Sequence, residues 1–205
     1  MSRHTVRAYI GLGANVGDPT ATLAWAVGAV AALPWVRLRA VSRLYATEPV
    51  GVIDQPEFRN AVVAVDVAAG ADPATGALAL LASLKELERE SGRQVRERWG
   101  PRELDLDLLI FGRARIAVER PPEARSNDAK ADPAKASKLL VVPHQEARRR
   151  LFVLAPLSDV ARRLAPPGWG ETVDTARRRQ EAIEGRDAVR PIGRWDRATG
   201  RWVSS

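Results

Sequence analysis

The stretch GPRELDLDLLI, residues 100–110, sets both the fold and the chemistry expected of this chain. Leu104, Leu106, Leu108 and Ile110 alternate with polar positions, so residues 104–111 read as a strand with one apolar face. Asp105 and Asp107 share the opposite face, with α-carbons about 6.6–7 Å apart. Two carboxylates this close repel each other and raise one pKa unless a cation sits between them. Hard carboxylate oxygens beside substrate phosphates are the usual surroundings of Mg²⁺. Two metal ions about 3.5–4 Å apart would be spanned by such a pair. Alone, D-x-D also describes a solvated acidic strand. The flanking residues favour chemistry: Arg98, Trp99 and Arg102 precede the aspartates in a loop tightened by Gly100-Pro101. Arginines supply fixed donors to phosphoryl oxygens and stabilise charge on a transferred group.

Upstream, Asp72-Pro73 is a helix cap followed by a first-turn proline, and the helix runs to about Glu90 before Gly92. Leu80, Leu84 and Leu87 form its buried stripe; Lys85 and Glu88 sit a turn apart on another face. Residues 58–67 alternate strictly, with Ala61, Val63, Val65 and Val67 on one face and Phe58 with Asn60 on the other. Residues 36–45 alternate and then slip register at Val41, which predicts a bulged strand. Asp18-Pro19 opens an earlier helix with stripe Leu23, Val27, Val30 and Leu33, after a strand at 6–10 and a glycine-rich turn at 11–17. Residues 139–142 read as another strand. The order strand–helix–strand–strand–helix–strand predicts an α+β fold, with a ferredoxin-like antiparallel sheet and packed helices as the simplest template. The expected organisation is one domain over 1–165 and a basic C-terminal extension over 166–205, with a helix at 172–183. Residues 120–138 hold no aromatic or branched aliphatic residue and read as a mobile insertion.

Composition narrows the function classes. The chain has 205 residues, 45% hydrophobic and 28% charged, as expected of a globular protein. No apolar run approaches the length of a membrane span, and the N-terminus breaks into glycine before a signal region develops. The expectation is a cytoplasmic protein without membrane contact. With no cysteine and only His4 and His144, thiolate and multi-histidine metal sites are excluded. The net charge of +7 is scattered. The densest cluster, Arg148, Arg149, Arg150, Arg162 and Arg163, faces Glu146 and Asp159, which favours an anionic small molecule over nucleic acid.

Other candidates are weaker from the residues alone. GLGANVG (11–17) follows a strand and precedes a helix, but its glycine spacing departs from a dinucleotide fingerprint and it lacks the Lys-Ser/Thr of a P-loop. It reads as a tight structural turn. Phe58, Asn60 and Phe152 would suit a flat heterocycle, although the phenylalanines read first as core. His144 serves equally as a phosphate contact or a loop histidine. Arg148–Arg150 reads as a solvated helix face.

Taken in order, YIGLGANVGD, VSRLYATEPVG, DQPEFRNAVV, RWGPRELDLDLLIFG and VPHQEARRRLFVLAPL resemble the 6-hydroxymethyl-7,8-dihydropterin pyrophosphokinases of folate biosynthesis. The resemblance covers about 8–160 apart from the insertion. It implies transfer of the β,γ-pyrophosphoryl group of ATP to the pterin hydroxymethyl oxygen, releasing AMP, by a monomer acting on these two small molecules. It implies that Asp105 and Asp107 hold two Mg²⁺ ions, and that Arg93 and Arg102 contact phosphates and help the transfer. Glu88, His144 and Arg150 would belong to the nucleotide site, and Trp99 to the loop closing over both substrates. Thr47, Val50, Phe58, Asn60 and Phe152 would form the pterin pocket, with the ring stacked between the two phenylalanines. Lys85 stands where a glutamine can occur, and Gln145 where an aromatic often follows the histidine. A rival D-x-D glycosyltransferase reading explains the aspartates but not Gly100-Pro101-Arg102 or Phe58-x-Asn60. A basic nucleic-acid-binding module would use the arginines and six tryptophans without needing Mg²⁺.

Overall fold

Alternating apolar strands and capped helices build a mixed antiparallel sheet with helices on both faces. The computed structural model describes residues 5–49, 55–92, 102–121 and 137–204. In chain order the elements are β1 (Thr5–Ala14), α1 (Pro19–Ala32), β2 (Val36–Val41), β3 (Leu44–Thr47), β4 (Phe58–Ala68), α2 (Pro73–Glu90) and β5 (Asp105–Phe111). They continue with β6 (Ile116–Glu119), β7 (Lys138–Val142), α3 (Leu151–Ala161), α4 (Val173–Glu184), β8 (Val189–Asp196) and β9 (Arg201–Ser204). The main sheet runs β5-β1-β4-β3-β8-β9, with β2 also on β4, and its pairs are antiparallel. Strands β6 and β7 form a separate hairpin.

Both predicted caps form. Asp18 accepts from the Ala21 amide at 3.0 Å, and Asp72 accepts from Ala74 and Thr75 at 2.9 and 3.0 Å. One sheet face packs Ile10, Leu12, Val63, Val65, Leu106 and Leu108 against Leu23 and Val27 of α1 and Leu80 and Leu84 of α2. The other packs Tyr9, Val62, Ala64 and Leu109 against Leu154 and Leu157 of α3 and Val173 and Ala176 of α4. The predicted alternation of β4 therefore holds, and both of its faces are covered.

Three expectations change. The stretch 11–14 is strand, not turn: β1 runs through Gly11 and Gly13 to Ala14, paired on both sides by β4 and β5. Ile110 does not stay on the face of Leu106 and Leu108. Ile10 pairs with Leu108 while Tyr9 pairs with Ile110, so the extra residue Leu109 makes a bulge that turns Ile110 to the α3–α4 side. The bulged strand predicted over 36–45 is two strands, with the slip falling between Leu38 and Ala40.

Residues 166–205, read from the sequence as an extension, carry α4, β8 and β9 and continue the same sheet. Thr47 of β3 pairs with Val189 of β8. The buried Trp202 indole donates to the Ser42 carbonyl at 2.9 Å and meets Trp195 edge-on at 4.6 Å.

Candidate active site

Gly13 of β1 leaves the floor of the site free of a side chain. Across the sheet, Gly13 lies between Asn60 of β4 and Asp105 of β5, and Gly11 lies between Val62 and Asp107. A Cβ at Gly13 would stand 3.4 Å from Asn60 Oδ1, in the space above the strand. Asp105, Asn60 and the gap at Gly13 thus form one row facing the end of α3. A cavity of about 120 Å³ opens over this row. Thr47, Phe58, Asn60, Arg102, Asp105, Asp107, Arg150 and Phe152 line it, together with Gly13, Glu48 and Gln55. Phe58 begins β4 and Phe152 is the second residue of α3, so the two aromatics reach the cavity from different layers.

The polar groups are held in place. Asn60 Nδ2 donates to Thr47 Oγ1 at 2.8 Å, and both residues are buried. The Arg102 guanidinium pairs with the Asp105 carboxylate. The Arg150 guanidinium lies 5.7 Å from the Phe152 ring centroid and 4.0 Å from the Glu146 carboxylate. Glu88 approaches from α2 and is buried; its Oε1 accepts from the Leu106 amide at 2.7 Å and from Lys85 Nζ at 2.6 Å. Lys85 Nζ also donates to the Leu106 carbonyl at 3.2 Å. The backbone between the aspartates is therefore clamped from the opposite face of the sheet.

Asp107 also borders a second cavity of about 250 Å³, lined by Lys85, Leu139, His144, Gln145 and Glu146 among others. The His144 amide donates to the Leu109 carbonyl at 2.8 Å, and its Nδ1 accepts from the Glu146 amide at 3.3 Å. The structure thus gathers Thr47, Phe58, Asn60, Arg102, Asp105, Asp107, Arg150 and Phe152 at one cavity and places His144 at the next. Glu88 reaches β5 rather than either cavity lining. Val50, Arg93 and Trp99 lie outside the described residues, as does most of the insertion. The sequence reading missed Asn15, Gln55 and Glu48; for Asn15 the signal was its place inside GLGANVG, read only for glycines.

Fold and site together present two adjoining cavities of small-molecule size that share Asp107. The 7,8-dihydro-6-hydroxymethylpterin-pyrophosphokinase (HPPK) family model matches residues 9–162. A 2-amino-4-hydroxy-6-hydroxymethyldihydropteridine pyrophosphokinase of Pseudomonas aeruginosa is 38% identical over 161 residues, covering 78% of this chain and 84% of that protein. One of Methylorubrum extorquens is 39% identical over 170 residues, covering 83% and 90%. Among solved structures, wild-type Plasmodium falciparum HPPK-DHPS with pterin and p-hydroxybenzoate matches with a TM-score of 0.70 at 15% identity. That match covers 99% of this chain, which spans about half (49%) of the Plasmodium chain. The chain belongs to the 7,8-dihydro-6-hydroxymethylpterin-pyrophosphokinase family, and its function is pyrophosphate transfer to that pterin in folate biosynthesis.

Proposed function

We propose that the two adjoining cavities hold the two substrates, the pterin over Gly13 and ATP across Asp107 toward His144. The observation that carries this is the single row Asn60–Gly13–Asp105, which sets a buried amide and a carboxylate on either side of a side-chain-free floor. Phe58 and Phe152 stack on the pterin ring, and the Asn60 amide, fixed by Thr47, hydrogen-bonds its edge. Val50 completes this pocket.

Asp105 and Asp107 fit two Mg²⁺ ions: both are hard oxygen donors on one strand face lining the first cavity, and Asp107 also borders the second. Bound there, the ions would neutralise triphosphate charge and order its oxygens. The acceptor hydroxymethyl oxygen attacks the β-phosphorus in line, and its proton is released to solvent. The bond from that phosphorus to the α-phosphate bridging oxygen breaks, and AMP leaves. Arg102, beside Asp105, faces the charge that develops on the transferred group, with Arg93 in the same role. Arg150 and His144 orient the nucleotide, Glu88 holds the strand that carries the aspartates, and Trp99 belongs to a loop that closes over both substrates. The strand order β5-β1-β4-β3 fits the ferredoxin-like arrangement, with residues 166–205 widening its sheet. Cytoplasmic residence and a monomeric state complete this reading.

The test is to incubate the protein with Mg²⁺, ATP and 6-hydroxymethyl-7,8-dihydropterin and to separate the nucleotides. AMP in equal yield with pterin diphosphate is expected. ADP, or turnover undiminished by a chelator, would overturn it.

A further inference from the structure

We propose that Asn15 is a positioning residue that locks the phosphate-side Arg102 and the pterin-side segment at Gln55–Pro56 into one geometry. This rests on the assignment of the two cavities above. Asn15 directly follows β1 and is only 2% exposed, and it is not among the residues lining the cavity. Its backbone amide donates to the Arg102 carbonyl at 3.0 Å, and its Oδ1 accepts from the Arg102 amide at 2.8 Å. Its Nδ2 donates to Gln55 Oε1 and to the Pro56 carbonyl, both at 3.1 Å. The side-chain orientation is forced, since the Pro56 carbonyl can only accept and the Arg102 amide can only donate. Both Nδ2 protons are thereby used.

The partners are what make the arrangement functional. Arg102 and Gln55 line the same cavity, and Phe58 follows Pro56 by two residues. Neither side is regular structure at these positions, so neither is fixed by a strand ladder. One buried amide sets the distance between the guanidinium that meets phosphate and the segment that leads into the stacking ring. Burial in a low-dielectric site raises the cost of breaking any of these bonds.

The two arms of Asn15 can be separated. Asn15→Asp keeps an acceptor for the Arg102 amide but turns an anion toward the Pro56 carbonyl, releasing the pterin side. The expected result is a rise of about tenfold in KM for the pterin with KM for ATP unchanged. Asn15→Ala releases both sides, and kcat is expected to fall about 10²-fold because a small misplacement of reacting groups is costly. Gln55→Ala should reproduce the selective KM rise without a substitution in the buried position. Hydrogen exchange gives a readout that needs no turnover: Asn15→Asp should speed exchange over residues 55–58 while the Arg102 amide stays protected. Equal kinetic constants in parent and variants, or equal exchange responses on the two sides, would overturn the positioning role. Failure of the parent to form AMP would overturn the pyrophosphokinase reading instead, and the exchange comparison would still decide the role of Asn15.

Discussion

At the scale of single residues, Asp107 borders both cavities and is the residue their linings share. Asp107→Ala should lower turnover by orders of magnitude while leaving the thermal unfolding curve nearly in place; loss of the folded state would assign it a structural part instead. Glu88 predicts the opposite balance. Its carboxylate satisfies the Leu106 amide in a buried setting. Glu88→Ala should therefore cost about 1–3 kcal/mol in urea unfolding, whereas Glu88→Gln keeps an acceptor and should cost less. Activity should fall in Glu88→Ala too, because the strand holding the aspartates loses its clamp. Asp105, Asp107 and Arg102 were singled out from spacing and residue type once D-x-D was read with its flanking arginines, and they do line one cavity. Phe58, Asn60 and Phe152 were not: an aromatic at a strand or helix start reads the same whether it fills a core or lines a pocket. Only the layers that bring Phe58 and Phe152 to one cavity separate these readings.

At the scale of elements, turn chemistry and periodicity located most strands and both capped helices. They failed where tertiary pairing overrides local signals. Gly11 and Gly13 look like a turn, since glycine disfavours strands, yet β1 is held on both sides by full ladders. Helix α3 escaped because its apolar run LFVLAPL has no polar face and carries Pro156 inside the helix. It packs against the sheet on one side and α4 on the other, which only the assembled fold reveals. Element packing also makes a prediction at Gly76 in the first turns of α2. A Cβ there would lie 2.2 Å from the Ala69 carbonyl oxygen, which is backbone and cannot give way cheaply. Gly76→Ala should destabilise by about 1–3 kcal/mol despite alanine's better helix propensity, as read from the denaturation midpoint.

At the scale of the whole molecule, charge ties β4 to the strands on either side of it. Arg7 of β1 and Arg39 of β2 each reach Asp66 of β4 at 2.5 Å. The Arg7 hydrogen bond holds the Asp66 carboxyl below its ordinary value of 3.8, opposed by burial and reinforced by Arg39. A depressed carboxylate contributes stability that is complete above its unfolded pKa and is lost as pH falls through the folded one. Asp66→Asn should thus melt lower than the parent at neutral pH, and the gap should close on acidification below about pH 4. A melting gap that is constant with pH would count against the linkage. The C-terminal residues make a second molecular-scale prediction. Ending the chain after Gly185 removes β8 and β9, bares β3 and leaves Trp202's partner Ser42 uncovered, so this truncation should be poorly soluble and lack a cooperative melt. The same closure bears on how the chain reaches its native state. The Ser42–Trp202 contact joins residues 160 apart in sequence, while β1, the second strand of the sheet path, is synthesised first. The edge of β3 beside the site cavity therefore stays open until β8 and β9 have been made. Contacts this distant slow folding, and the nascent chain must survive with an unpaired strand edge until those strands emerge.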